Sequence, residues 1–185
     1  ASGDNLGYSI SLSDNGSIVA IGAPFNDDNG TDSGHVRVYQ YIGTSWTQLG
    51  QDIYGESAND LSGISVSLSS DGTRVAIGAI LNDGNNIFNY NDNRGHVRVY
   101  EYSSGRWDKL GDDIDGEASG DQSGWSVSLS GDGTRVVIGA PKNDYNGINS
   151  GNVRVYEYIV STISNSTIND TILKGNINYE DSSGN

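Results

Sequence analysis

Ser123-Gly124-Trp125-Ser126-Val127-Ser128-Leu129-Ser130, a Gly131-Asp132-Gly133 turn and Arg135-Val136-Val137-Ile138-Gly139-Ala140-Pro141 form a unit that the chain writes three times. The earlier copies run from Leu6-Gly7-Tyr8-Ser9-Ile10-Ser11-Leu12 to Gly22-Ala23-Pro24, and from Ser62-Gly63-Ile64-Ser65-Val66-Ser67-Leu68 to Gly78-Ala79-Ile80. The spacing is 56 residues from Gly7 to Gly63 and 61 from Gly63 to Gly124, the surplus falling between Ala79 and Gly95. A fixed period of this length marks a repeat architecture. A residue present in every copy is therefore first a feature of the fold.

Four strands are expected per copy. The first alternates strictly, with Ile10/Leu12, Val66/Leu68 and Val127/Leu129 on one face and serines on the other. Period two means a strand, and the small serine face lets another layer approach closely. Asn15-Gly16, Asp71-Gly72 and Asp132-Gly133 then predict a tight two-residue hairpin turn. The second strand is apolar on both faces (Ile18–Ile21, Val75–Ile77, Val136–Ile138), as suits a strand covered on both sides. The third runs Gly34–Tyr41, Gly95–Tyr102 and Gly151–Tyr158; its Arg37, Tyr39 and Tyr41 share a face, where the arginine can lie along a ring. The fourth begins at Trp46 or Trp107 and ends at Ile53 or Ile114. The third copy has no tryptophan here, but Leu173 and Ile177 keep the spacing of Leu49/Ile53 and Leu110/Ile114. Thr171–Tyr179 thus reads as a degenerate fourth strand, paired with its own blade or with a neighbouring molecule.

Helical periodicity is absent, so the fold class is all-β: three tandem four-stranded antiparallel blades, propeller-like, with a C-terminal tail strand. The expected divisions are 1–58, 59–118 and 119–158 for the blades and 159–185 for a Ser/Thr/Asn-rich tail, blade-completing or donated.

The segments Gly7-Tyr8-Ser9, Gly22-Ala23-Pro24, Gly124-Trp125-Ser126 and Gly139-Ala140-Pro141 resemble FG-GAP repeats, the blades of integrin-α-type β-propellers. The resemblance covers residues 1–158. Leu6, Ser62 and Ser123 stand where the family has phenylalanine, and a bare turn replaces the calcium loop such repeats often carry between their first two strands. That calcium site is therefore not carried over. The resemblance implies an extracellular or surface module used for adhesion or scaffolding.

The chain of 185 residues carries a formal charge of −14, which argues against nucleic acid and anionic membranes as partners. It has no cysteine, excluding disulfides, thiolate metal sites and cysteine nucleophiles. No stretch approaches a membrane span. The first residue, Ala1, reads as the start of a processed chain or a fragment.

Candidate sites are few. Asn26, Asp27 and Asp28, with the equivalent Asn82/Asp83 and Asn143/Asp144, offer oxygen ligands for calcium in a glycine-containing loop; the same residues are ordinary turn formers. Asp60 with Glu56, and Asp121 with Glu117, offer cation ligands between blades or turn caps. His35 and His96 are equivalent, with Asn152 in the third copy, and read as structural. Phe88 and Tyr90, in the one loop unique to a single copy, suit sugar stacking or simply lengthen the loop. Asn15, Asn29, Asn165 and Asn169 occupy glycosylation sequons. No nucleophile–base pair or phosphate loop is present. The functional expectation is a non-enzymatic extracellular module that associates with itself, as a filament or surface assembly. The alternative is a carbohydrate- or protein-binding part of a larger propeller.

Overall fold

The computed structural model describes residues 2–84, 92–159 and 171–177. The first blade pairs β1 (Ser9–Leu12) with β2 (Ile18–Ala23), β2 with β3 (His35–Ile42), and β3 with two short pieces, β4 (Ser45–Gln48) and β5 (Ile53–Tyr54). The second repeats this as β6 (Ser65–Leu68), β7 (Arg74–Ala79), β8 (His96–Ser103), β9 (Arg106–Lys109) and β10 (Ile114–Asp115). The third has β11 (Ser126–Leu129), β12 (Arg135–Ala140), β13 (Asn152–Ile159) and one unbroken fourth strand, β14 (Thr171–Ile177). All pairings within the blades are antiparallel, and β14 lies on β13 of its own blade.

The fourth strand is broken in two blades because Gly50 and Gly111 take positive φ (76° and 72°). There is also no room for a side chain at Gly50, where a Cβ would lie 2.8 Å from the Trp107 ring. The third blade has Lys174 within its continuous strand. Register shows the consequence. Ile53, Ile114 and Ile177 lie opposite the equivalent Val36, Val97 and Val153. Leu173, however, sits opposite Glu157, whereas Leu49 donates its amide to Val38. The expected match of Leu173 to Leu49 fails, because the four residues from Leu173 to Ile177 span four positions of β13, whereas Leu49 to Ile53, across the break, span two of β3.

The hairpin turn also differs from expectation. A two-residue turn of the Asn-Gly kind needs positive φ at both positions. Here only the glycines, Gly16, Gly72 and Gly133, have it (70°, 73° and 69°). The residue before each glycine instead turns its side chain back. Asp71 Oδ1 accepts from Ser69 Oγ, Thr73 N and Thr73 Oγ1; Asn15 and Asp132 repeat the pattern. This is the side-chain turn motif that Asn and Asp supply.

The cores lie between blades. Ile18, Val36, Val38 and Ile53 of the first pack on Val66, Leu68, Val75, Ile77 and Trp107 of the second. Ala76, Val97, Val99 and Ile114 of the second pack on Leu129, Val136, Ile138 and Tyr156 of the third. Strand β7 sends Val75 and Ile77 one way and Ala76 the other, which is why this strand is apolar on both faces.

Asp71→Ala should cost about 1–2 kcal/mol of unfolding free energy in denaturant titration, since three turn bonds are lost. Asp71→Asn, the residue type of the first blade, should be close to neutral.

Candidate functional site

The contact between blades is built by the serine face of each first strand. Ser9 Oγ donates to the Gly63 carbonyl (2.7 Å), and Ser65 Oγ to the Gly124 carbonyl (2.6 Å). Ser11 Oγ accepts from Leu68 N and Ser67 Oγ from Leu129 N, both 2.9 Å. At the turns, Asp14 N donates to Ser70 O and Ser70 N to Gly131 O. The carbonyls come so close that a Cβ on Gly22 would stand 2.1 Å from Gly63 O, and one on Gly78 2.2 Å from Gly124 O. This approach explains the glycine at positions 22 and 78.

Farther out, Arg98 of the second blade pairs with Glu56 of the first (2.5 Å) and with its own Asp113 (2.7 Å). Arg154 of the third pairs with Glu117 of the second. Arg37, in the first blade, pairs with its own Asp52 (2.7 Å). A tyrosine two residues along the same strand is within reach of each arginine, and Arg154 donates to the Tyr156 hydroxyl (3.5 Å). Carboxylates take the guanidiniums, and among the described residues a cation–π contact crosses blades, with Arg74 5.3 Å above Tyr158. Charge-assisted pairs of this kind outweigh a cation–π contact when both are within reach. On Asp113, burial raises the carboxyl, but the hydrogen bond from Arg98 and its charge outweigh it, holding the group below the ordinary carboxylate range.

Two faces of this array are left uncovered by the chain's described residues. In the first blade, Ile10 and Leu12 are 71% and 58% exposed, whereas their equivalents Val66 and Leu68 are buried. Trp46 is likewise exposed, while Trp107 is buried with its indole N–H on Leu49 O. In the third blade the opposite side is open. Ser126 and Ser128 are exposed, and a Cβ on Gly139 would meet nothing closer than its own blade's Ser126.

The Asn-Asp loops are closed hydrogen-bond units. Asn26, Asn82 and Asn143 are buried and donate Nδ2 to the buried Asp4, Asp60 and Asp121, 22 residues before each. Their Oδ1 atoms accept from the amides of Asp28, Gly84 and Tyr145. Asp27, Asp83 and Asp144 accept from the amides of Asp32, Asn93 and Asn149, residues held at positive φ. Asp60 also accepts from Ser57 N, as a turn cap, while Glu56 points to Arg98. Burial pushes the Asp60 carboxyl up despite these bonds. Asp28 turns its carboxylate toward His35, 3.9 Å from Nδ1.

Two groups bring a histidine nitrogen and two carboxylates within 4.8 Å: Asp28, His35 and Asp52, and Glu56, His96 and Asp113. Composition alone did not single out Asp52 and Asp113, since they approach the histidines only through pairing of β3 with β5 and β8 with β10. In both groups an arginine already holds carboxylate oxygens, Arg37 on Asp52 and Arg98 on Glu56 and Asp113. Both histidines are buried, and burial followed by the neighbouring arginine charge lowers both from the ordinary value, His96 to about 4. Of the sequon residues, Asn15 caps its turn and Asn29 donates to Gly55 O. Asn165, Asn169, Phe88 and Tyr90 lie outside the described residues.

Asn82→Ala should destabilise the chain by about 1–3 kcal/mol in denaturant titration, because Asp60 stays buried with one bond fewer. Unfolded His96 protonates near pH 6.5 but the folded residue only near 4. Between those values the unfolded chain binds more protons, so stability falls as pH is lowered through this window. His96→Asn, which copies Asn152 of the third blade, should flatten the fall in melting temperature from pH 7 to pH 4.5. An unchanged slope would contradict the assignment.

Comparison with known proteins follows the same lines. A family model described as FG-GAP repeat matches residues 1–39 and 114–156. No curated protein matches the chain. Among solved structures, a Bacteroides uniformis protein provisionally described as a 6-phosphogluconolactonase is similar with a TM-score of 0.54 and 13% identity, over 90% of this chain and 39% of that one. A structure of the complex of KlAtg21 with the coiled-coil of AgAtg16 gives 0.50 and 11%, over 90% of this chain and 50% of that one. The chain spans half or less of these structures, and at such identity they show the fold alone. It is an all-β array of three antiparallel sheets, similar to β-propeller proteins, two segments of which match the FG-GAP repeat.

Proposed function

We propose that this chain is a non-enzymatic structural or adhesive module of the cell exterior that associates with itself through its end blades. The observation that carries the reading is the pair of uncovered blade faces. Ile10, Leu12 and Trp46 are exposed on the first blade, at the positions where the second blade buries Val66, Leu68 and Trp107, and Leu6 and Tyr8 are exposed beside them. Covering a large apolar side chain stabilises by about 1.5–3 kcal/mol, so such a face is a strong site of association. Closed propellers use four to eight blades, and the three blades of the described residues expose one face at each end. Supporting the non-enzymatic part, the loop carboxylates and amides sit in turn caps and ion pairs repeated from blade to blade. The solved structures of similar fold do not bear on this, because fold does not imply function.

Sedimentation velocity of the 185-residue chain over a wide concentration range tests the reading. The weight-average mass should rise well above the 19.6 kDa of one chain. Leu12→Asp, at an exposed position, should hold it at the single-chain value. A wild-type chain that stays at 19.6 kDa at the highest concentration would contradict self-association.

A further inference from the structure

Resting on the reading that the chain associates with itself, we propose that the contact is head to tail, in the same register as the two internal blade contacts. The serine face of β11 in one copy receives the apolar face of β1 in the next. The two end faces are the two halves of one contact. Along the first strands, burial reads half-buried serine and exposed apolar in β1, half-buried serine and buried apolar in β6, and exposed serine with buried or half-buried apolar in β11. What β1 lacks is a serine face over Ile10 and Leu12; what β11 lacks is an apolar strand over Ser126 and Ser128.

The internal contacts give the partners atom by atom. Ser9 and Ser65 donate to Gly63 and Gly124 carbonyls, so Ser126 Oγ of one copy donates to Gly7 O of the next. Leu68 and Leu129 amides donate to Ser11 and Ser67, so the Leu12 amide donates to Ser128 Oγ. Asp14 N and Ser70 N donate to Ser70 O and Gly131 O, so Gly131 N donates to Asp14 O. The space beside Gly139, filled at Gly22 and Gly78 by the next blade's carbonyl, is open for that of Gly7.

Charge gives the same direction. A glutamate at the end of one blade pairs with the arginine of the next, Glu56 with Arg98 and Glu117 with Arg154. Arg37 has no such cross-blade carboxylate among the described residues. In the head-to-tail contact Arg37 takes the place that Arg98 and Arg154 hold at the internal contacts. Two copies joined at both ends make six blades, within the range of closed propellers; copies that do not close continue as a filament. Both assemblies use this one contact.

Thiol cross-linking tests the register. The chain has no cysteine, so Ser128→Cys and Leu12→Cys each introduce a single thiol. With a short bifunctional thiol reagent, a mixture of the two variants should give a covalent dimer, and each variant alone should give none. Ser126→Val, at an exposed position, removes the donor to Gly7 O and gives a second readout that is independent of cysteine placement. It should weaken association by roughly tenfold. If the wild-type chain assembles but the mixture gives no dimer and Ser126→Val assembles as well as the wild type, the register is wrong while self-association stands. If the wild-type chain does not assemble at all, both fall.

Discussion

A serine hydroxyl on the first strand of one blade holds the carbonyl of a glycine just before the first strand of the next. Ser9 to Gly63 and Ser65 to Gly124 are the two instances, and most of what the chain repeats follows from them. The hydroxyl must be short, so the strand face toward the next blade is serine. The carbonyl must pass over the second strand, so Gly22 and Gly78 have no room for a Cβ. The other face of the same strand then carries the apolar side chains that fill the gap to the preceding blade. Buried polar groups satisfied in this way set distance and register, while the apolar clusters on either side supply the larger part of the stabilisation.

The ion pairs act at the outer part of the same contacts. Glu56–Arg98 and Glu117–Arg154 cross from one blade to the next, and Asp113 holds Arg98 from within its own blade. An acidic chain of net charge −14 would repel itself if its carboxylates were evenly spread. Collecting several of them around the scarce arginines turns part of that repulsion into orientation between blades. The buried Asp60 and Asp121 follow the same economy with neutral partners, each held by an asparagine from the loop 22 residues on.

Much of this was legible from the sequence. Period-two alternation, the three-fold repeat and the apolar second strand lead directly to three antiparallel sheets, because each depends on local pattern alone. The serine face was readable as a close approach, but its acceptors were not, since Gly63 and Gly124 lie in other blades. Turn type was misread because Asn-Gly and Asp-Gly also suit a turn in which only glycine has positive φ and the side chain caps the backbone. The carboxylate partners of the arginines were not readable for a different reason. Tyr39 lies two residues from Arg37 along the chain, but strand pairing brings Asp52 closer, and pairing is not a local property. The match of Leu173 to Leu49 failed on a break in the strand that depends on Gly50, which the third copy replaces by Lys174.

Amide hydrogen exchange of the 185-residue chain at low and high protein concentration addresses the blade contact most directly. The Leu68 and Leu129 amides are bonded to serines of the preceding blade and should be protected at every concentration. The Leu12 amide occupies the equivalent place on the open face. Its protection should climb with concentration toward that of the other two. A Leu12 amide that exchanges equally fast at all concentrations, beside protected Leu68 and Leu129, would mean that no second copy covers the first blade.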